Sequence, residues 1–114
     1  MNYNVIPTPR FKKESKKLIK RYPSLPADLR NFEKNLLKNP RLGTSLGGNT
    51  YKVRLAITSK RKGKSGGARI ITYLVTADQE IYLLSIFDKS EIASIDNKTL
   101  KQLVKEIKEQ KGLK

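Results

Sequence analysis

Apolar positions in the first third of the chain recur with the spacing of helices. Residues 3–6 form a short extended segment followed by prolines, which predicts an edge strand. Over residues 10–22, apolar side chains return every three or four positions among lysines, and this spacing predicts an amphipathic helix. A second helix is expected to run to Lys38, with Ser24 as its N-cap. Because the connection between them is short, the two helices are expected to pack as an antiparallel hairpin.

The middle of the chain changes to the two-residue period of a β-strand. Strands are predicted over residues 51–57, 68–75 and 80–87, and a tight turn between the last two predicts a hairpin. Residues 42–49 contain three glycines and predict a loop. An apolar stripe from Leu100 to Ile107 predicts a final helix. Its candidate capping residues are Asp96, Asn97 and Thr99.

The predicted order is strand, helix, helix, three strands and helix, which is an α+β fold. A small, mainly antiparallel sheet is expected to carry the N-terminal helical hairpin and the C-terminal helix on one of its sides. A chain of 114 residues and 13.0 kDa fits a single domain over residues 1–114.

Composition points to a polyanionic partner. The chain has 25 Lys and Arg against 10 Asp and Glu, a formal net charge of +15 and a sequence pI of about 10.2. It has no Cys and no His, which argues against disulfides, thiol nucleophiles, common zinc sites and imidazole catalysis. No apolar run is long enough for a membrane span, and no signal-type segment follows Met1. We therefore expect a cytoplasmic protein with no membrane partner, no metal and no small-molecule cofactor.

Positive charge is concentrated in the middle of the sequence. Residues 34–77 carry ten Lys or Arg and no Asp or Glu. The densest part is residues 58–67, where three glycines accompany Lys60, Arg61, Lys62 and Lys64. Flexible backbone with cationic side chains suits phosphate contact, so these four residues are candidate RNA-binding residues. The alternative is a solvated hairpin loop that carries excess charge.

A second group of cations follows from the predicted strand register. Lys52 and Arg54 project from the same face, about 7 Å apart along their strand. Arg69 begins the next predicted strand, and Lys89 follows the end of the last one. Such a face either binds an anion or is simply open to water, where long basic side chains cost little.

A cationic face without histidine can stabilise the phosphorane of an RNA transesterification, in which the 2′-hydroxyl attacks the adjacent phosphate. Arg54 and Arg69 would clamp the phosphate. Lys52 is the candidate general base, because neighbouring cations favour a neutral amine. Tyr73 either stacks on a base or is a core or rim aromatic.

Several motifs together resemble the HigB-type toxins of the RelE/ParE superfamily. These motifs are Tyr-Lys-Val-Arg-Leu at residues 51–55, Gly-Lys-Ser-Gly-Gly-Ala-Arg at 63–69, Ile-Ile-Thr-Tyr at 70–73, Ile-Tyr-Leu-Leu at 81–84, Asp-Lys-Ser-Glu at 88–91, Phe-Lys-Lys at 11–13 and Arg-Tyr-Pro-Ser-Leu at 21–25. Their order and spacing cover nearly the whole chain.

This resemblance implies a bacterial type II toxin that enters the ribosomal A site and cleaves mRNA, with contacts to ribosomal RNA. It implies a cognate antitoxin protein as partner, with an acidic segment or a helix-turn-helix domain. The family's basic strand positions fall on Lys52 and Arg54, its catalytic arginine on Arg69, and its last basic position on Lys89. RelE itself has a functional tyrosine beyond that position. Here residues 91–95 contain none, so the resemblance leaves Glu91 or Tyr73 as the possible acid or base.

Two other functions remain open at this point. A ParE-like toxin has the same fold, binds DNA gyrase and cleaves no RNA, but retention of all four basic positions favours the nuclease. A non-catalytic RNA-binding or ribosome-binding protein is compatible with the charge alone.

Overall fold

The computed structural model describes residues 2–61 and 66–112. Within them, the secondary-structure elements in chain order are β1 (Asn4–Pro7), α1 (Pro9–Arg21), α2 (Leu25–Lys38), β2 (Thr44–Gly47), β3 (Thr50–Leu55), β4 (Ala68–Val75), β5 (Glu80–Asp88) and α3 (Asn97–Gln110). The five strands form one sheet in the order β1-β5-β4-β3-β2. β1 is parallel to β5, and the other neighbours are antiparallel. The sheet is therefore mainly antiparallel, which confirms the prediction.

The helices begin at residues that tie them to the rest of the fold. The Thr8 side chain accepts a hydrogen bond from the Phe11 amide at 3.2 Å and donates one to the Leu83 carbonyl at 2.8 Å, so it caps α1 and anchors it to β5. Asp96 caps α3 by accepting from the Thr99 amide at 2.6 Å. Ser24 occupies the N-cap position of α2, as predicted, but its side chain makes no capping hydrogen bond. Its hydroxyl instead donates to the Asp28 carboxylate at 2.8 Å.

Both faces of the sheet are covered, which corrects the expectation that all helices lie on one side. Ile70 and Leu74 of β4 pack in a core with α1 and α2, whereas Ile71 and Tyr73 pack in a second core with α3. Successive strand side chains point to opposite faces, so a strand with apolar residues on both faces requires cover on both. β4 is buried along its whole length.

The stretch predicted as a loop contains the edge strand β2, which is a further correction. Gly47, Gly48 and Asn49 have positive φ angles of 92°, 59° and 63°, and they form the tight turn of a β2–β3 hairpin. Thr50 closes this turn, since its hydroxyl donates to the Gly47 carbonyl at 2.5 Å. The glycines therefore mark the turn of a hairpin and not an unstructured connection.

A β-bulge in β5 shifts its pairing with β4 by one residue. Ile71 pairs with Ser85 but Thr72 pairs with Leu83, so Leu84 is an extra residue in β5. Beyond the bulge, β5 is no longer bordered by β1. There the Glu14 carboxylate of α1 accepts from the Ser85 hydroxyl at 2.8 Å and from the Ile86 amide at 3.3 Å, which covers the open edge.

In the parts of the chain that the structure describes, none of the helices has the length and apolarity needed to cross a membrane.

Candidate functional site

Strand register brings three of the sequence-predicted cations onto one face of the sheet. Arg54 of β3 lies directly opposite Arg69 of β4, and Lys52 lies opposite Ile71 in the same register. Directly opposed side chains in an antiparallel pair have Cβ atoms about 4.5–5.5 Å apart. Lys52, Arg54 and Arg69 therefore form one cluster, which we call the cationic face.

Exposure differs within the cationic face. Arg54 is exposed, Lys52 is half-buried, and Arg69 is only 4% exposed. Burial and, after it, the positive charge of Arg54 lower the pKa of Arg69 from its ordinary value. The guanidinium nevertheless remains charged at neutral pH. Solvent therefore reaches Arg54 much more readily than its cross-strand neighbour Arg69.

Lys89 borders the cationic face through its backbone. Its amide donates to the Gly67 carbonyl at 3.0 Å, which continues the β4–β5 pairing beyond the last residues of the ladder. The Lys89 ammonium donates to the Ala93 carbonyl at 3.2 Å and is directed along the following loop. The structure thus places this residue beside the end of β4, with its side chain turned toward Ala93.

Tyr73 shares the face of Arg69 but lies under α3. It is 6% exposed and packs in the second core with Leu100 and Ile107. Burial raises the pKa of its phenol. Of the two alternatives left open by the sequence, this position corresponds to the core aromatic, and the ring offers no open surface on which a base would stack.

Lys60 belongs to a buried ion-pair network on the opposite side of the sheet. Its ammonium lies 2.5 Å from the Asp88 carboxylate and 3.0 Å from the Ser90 hydroxyl, and the side chain is 10% exposed. The ammonium also lies 5.4 Å from the centroid of the Tyr22 ring, a cation–π contact. Lys60 therefore fastens its loop to the end of β5.

Asp88 is the centre of this network. Tyr22 donates its hydroxyl to the carboxylate at 2.6 Å, and the Ser90 hydroxyl donates at 2.7 Å. Burial favours a higher pKa for Asp88, but the hydrogen bonds from Lys60, Tyr22 and Ser90 outweigh it and hold the pKa well below its usual range. The carboxylate is therefore ionised and fully partnered.

The two residues before Lys60 are fixed as well. Thr58 donates its amide at 2.9 Å and its hydroxyl at 2.6 Å to the Asp28 carboxylate, while Ser59 donates its amide to the Ser24 hydroxyl at 2.8 Å. Arg61 is exposed. Lys62 and Lys64, the other candidate RNA-binding residues of this segment, lie outside the described residues.

Glu91, the candidate acid or base, forms an ion pair with Arg21 at the end of α1. Its carboxylate therefore faces α1. Among the residues that the structure describes, no ion pair or hydrogen bond links Glu91 to Lys52 or Arg54. The structure groups Glu91 with the Asp88 network, since Arg21 also lies 3.7 Å from the Asp88 carboxylate.

Sequence reasoning missed the role of Asp88 and Tyr22. Both residues occur in motifs that carry the family resemblance, yet only their neighbours were assigned functions. A usable signal was the acidic residue that directly follows the apolar Ile86 and Phe87 at the end of a strand, because a buried carboxylate requires a cationic partner. Among residues 2–61 and 66–112, no cluster of three or more acidic side chains is arranged to hold a metal ion.

The fold matches that of solved RelE toxin structures. A solved structure of a double arginine-to-alanine mutant of E. coli toxin RelE in the free state superposes with a TM-score of 0.62 at 19% identity, covering 94% of this chain and 99% of that one. The same mutant in complex with an antitoxin RelBc peptide gives a TM-score of 0.59 at 20% identity, covering 85% and 98%. A family model described as the RelE toxin of the RelE/RelB toxin-antitoxin system matches residues 9–113. The chain therefore belongs to the RelE toxin family.

Proposed function

We propose that this chain is a ribosome-dependent mRNA endoribonuclease of a type II toxin-antitoxin system, acting without a metal ion. The observation that carries the proposal is the direct opposition of Arg54 and Arg69 beside Lys52. Like charges opposed across two strands destabilise a sheet, and a bound phosphate would offset that cost. The HigB-type motifs and membership of the RelE family support the same function.

The proposed reaction cleaves the chain 3′ of the attacking nucleotide. Lys52 removes the proton of a 2′-hydroxyl, the 2′-oxygen forms a bond to the adjacent phosphorus, and the bond from phosphorus to the 5′-oxygen breaks. Arg54 and Arg69 stabilise the charge that develops on the non-bridging oxygens. The 5′-oxygen takes up a proton, for which Lys89 is the proposed donor. In this step the Lys89 ammonium leaves the Ala93 carbonyl to which it donates in the free chain. The products are a 2′,3′-cyclic phosphate and a 5′-hydroxyl end.

The proposed partners are a cognate antitoxin and the A site of the ribosome with its mRNA. An antitoxin partner is supported by the complex of E. coli RelE with its RelBc peptide, although that likeness concerns the fold. Contacts with mRNA and ribosomal RNA are supported by the net charge of +15 and by the exposed arginines Arg54 and Arg61.

Mapping mRNA 5′ ends in cells after brief induction tests this function. Breaks at fixed positions within translated codons are expected for the unmodified chain, and Arg69→Ala should remove them. Arg30→Ala, at an exposed arginine of α2, is the matched control and should cleave normally. Since Arg69 is buried, thermal unfolding of the purified variant must show that it is folded.

Other patterns would contradict the proposal. Intact messages together with DNA damage would indicate a ParE-like gyrase inhibitor. Translation arrest with intact messages and no DNA damage would indicate a ribosome-binding protein without chemistry.

A further inference from the structure

Two consecutive residues at the end of β5 hold both ends of the basic segment that leads into β4. This segment, residues 60–67, carries four of the candidate RNA-binding cations. At its start, the Lys60 ammonium lies 2.5 Å from the Asp88 carboxylate. At its end, the Gly67 carbonyl accepts a hydrogen bond from the Lys89 amide at 3.0 Å. Asp88 and Lys89 therefore close the base of the basic segment.

Asp88 also fixes the turn that contains Lys89. Its carboxylate accepts from the Ser90 amide at 3.0 Å and from the Ser90 hydroxyl at 2.7 Å. Its backbone carbonyl accepts from the amides of Glu91 and Ile92, each at 3.0 Å. The turn that begins at Asp88 is therefore closed through both the side chain and the backbone of this one residue.

The pairing of β4 with β5 places Lys89 on the side of the cationic face. Asp88 pairs with Ala68, which packs in the core of α1 and α2, whereas Arg69 pairs with Phe87, which packs in the second core. Successive residues of a strand alternate between the two faces of its sheet. Since the Lys89 amide continues this pairing, Lys89 follows on the face of Phe87 and Arg69, and Asp88 lies on the other.

The ion pair of Lys60 with Asp88 is expected to persist when RNA binds. The Lys60 side chain is 10% exposed and the Asp88 side chain is fully buried. Transfer of the ammonium to an RNA phosphate would leave a buried carboxylate without its cation, which is strongly destabilising. The next residue, Arg61, is exposed and needs no such rearrangement to meet a phosphate.

We propose that Lys60 and Asp88 are positioning residues for RNA cleavage. Their ion pair closes the base of the basic segment, and Asp88 fixes the turn of Lys89, so that the cations of both lie beside Arg69 where the phosphate binds. Neither Lys60 nor Asp88 contacts the RNA. The inference rests on the proposed function, because that function supplies the phosphate and the proton transfer from Lys89.

Single-turnover cleavage of a defined mRNA on programmed ribosomes with a vacant A site tests the role of Lys60. We expect Lys60→Met to lower the cleavage rate at saturating toxin by at least about tenfold, because small displacements of reacting groups cost large factors in rate. The toxin concentration for half-saturation and its salt dependence should not change. Lys60→Arg keeps a cation beside Asp88 and should therefore retain more of the rate than Lys60→Met.

A second set of variants separates positioning from stability. Asp88→Asn makes the chain more cationic, so its attraction to RNA should not fall, yet its cleavage should be slower. Combining Asp88→Asn with Lys60→Met removes the unpaired ammonium, so stability should partly recover while the rate stays low. Leu36→Ala is the matched control, because it weakens the first core at a fully buried position of α2. Its rate should be normal at a temperature where circular dichroism shows every variant folded.

Each result decides the question. A normal saturated rate in Lys60→Met would overturn the proposal. A normal saturated rate with weaker binding and a salt slope reduced by about one would identify Lys60 as a phosphate contact and also overturn it. Recovery of the rate together with stability in the double variant would leave only a structural role. These three results require that the unmodified chain cleaves. If it does not cleave, the proposed function itself fails, and this inference with it.

Discussion

Arg54 and Arg69 face each other directly across β3 and β4. One is exposed and the other is 4% exposed, and the positive charge of Arg54 helps to lower the pKa of Arg69. Such an arrangement is unfavourable for the isolated fold. A phosphate bound against the pair would offset this repulsion, because a guanidinium and a phosphate form strong charge-assisted hydrogen bonds. The pair of arginines is therefore expected to lower the stability of the free chain and to favour the binding of a phosphate.

Replacing Arg54 should separate stability from activity. Arg54→Gln removes the repulsion on Arg69, so we expect the free energy of unfolding to rise by roughly 0.2–1 kcal/mol while mRNA cleavage falls. Arg30→Gln on α2 should change neither quantity. Urea unfolding and a cleavage assay on the same preparations measure both. Normal cleavage by Arg54→Gln would remove Arg54 from the proposed site.

Asp88 should be more important for stability than any residue of the cationic face. Asp88→Asn leaves the Lys60 ammonium at 10% exposure without its carboxylate, which should cost roughly 3–5 kcal/mol in unfolding free energy. Adding Lys60→Met should recover part of this loss, because the unpaired charge is then gone. Chemical denaturation compares the three proteins. A single variant as stable as the unmodified chain would contradict the role given to the network.

The lowered pKa of Asp88 predicts that the folded chain loses stability at acidic pH. The pKa of Asp88 is lower in the folded chain than the value of about 3.9 expected when unfolded. Its contribution is therefore complete above about pH 4 and is lost as pH falls toward the folded value. Unfolding free energy measured against pH should decline less steeply below about pH 4 in Asp88→Asn than in the unmodified chain. Parallel curves would show that Asp88 titrates normally.

Gly67 should be intolerant of any side chain. A Cβ at this position would overlap the Leu55 carbonyl oxygen, and the Gly67 carbonyl already accepts from the Lys89 amide. Gly67→Ala should therefore separate β3 from β4 beside Arg69, lowering the unfolding free energy by about 1–3 kcal/mol and reducing cleavage.

Gly48→Asn is the matched control for Gly67→Ala. A Cβ on Gly48 would meet no atom within 4 Å, and asparagine tolerates its φ of 59°. Thermal unfolding should therefore find Gly48→Asn close to the unmodified chain. Equal destabilisation of the two variants would contradict a role for close backbone approach at Gly67.

Tyr73 should act through packing. Tyr73→Phe keeps the ring between the sheet and α3, so cleavage and RNA affinity should be unchanged. Tyr73→Ala should lower the unfolding free energy by roughly 3–5 kcal/mol, because it leaves a cavity in the second core. If Tyr73→Phe cleaves poorly while its stability is normal, the hydroxyl has a chemical role.

Most of the fold was predictable because its helices and strands carry regular local patterns of apolar residues and are separated by turn residues. The helices, four of the five described strands and the turn after Val75 follow from local periodicity and turn residues. The glycines near Gly47 were interpreted as a loop, since a short edge strand with exposed side chains has no apolar pattern. The sequence did not show where α3 packs. Because β4 carries apolar residues on both faces, its pattern does not reveal which face α3 covers.

For the site, the sequence by itself determined the chemistry. It fixed the excess of cations, the absence of Cys and His, and the side of β3 that carries Lys52 and Arg54, because strand period is a local property. Only the tertiary structure decided which cations meet. The β3–β4 register places Arg69 opposite Arg54. Lys60 instead pairs with Asp88, because a buried carboxylate is stable only with a cationic or hydrogen-bonding partner. The sequence determines which charged residues are present, and the fold determines which of them come into contact.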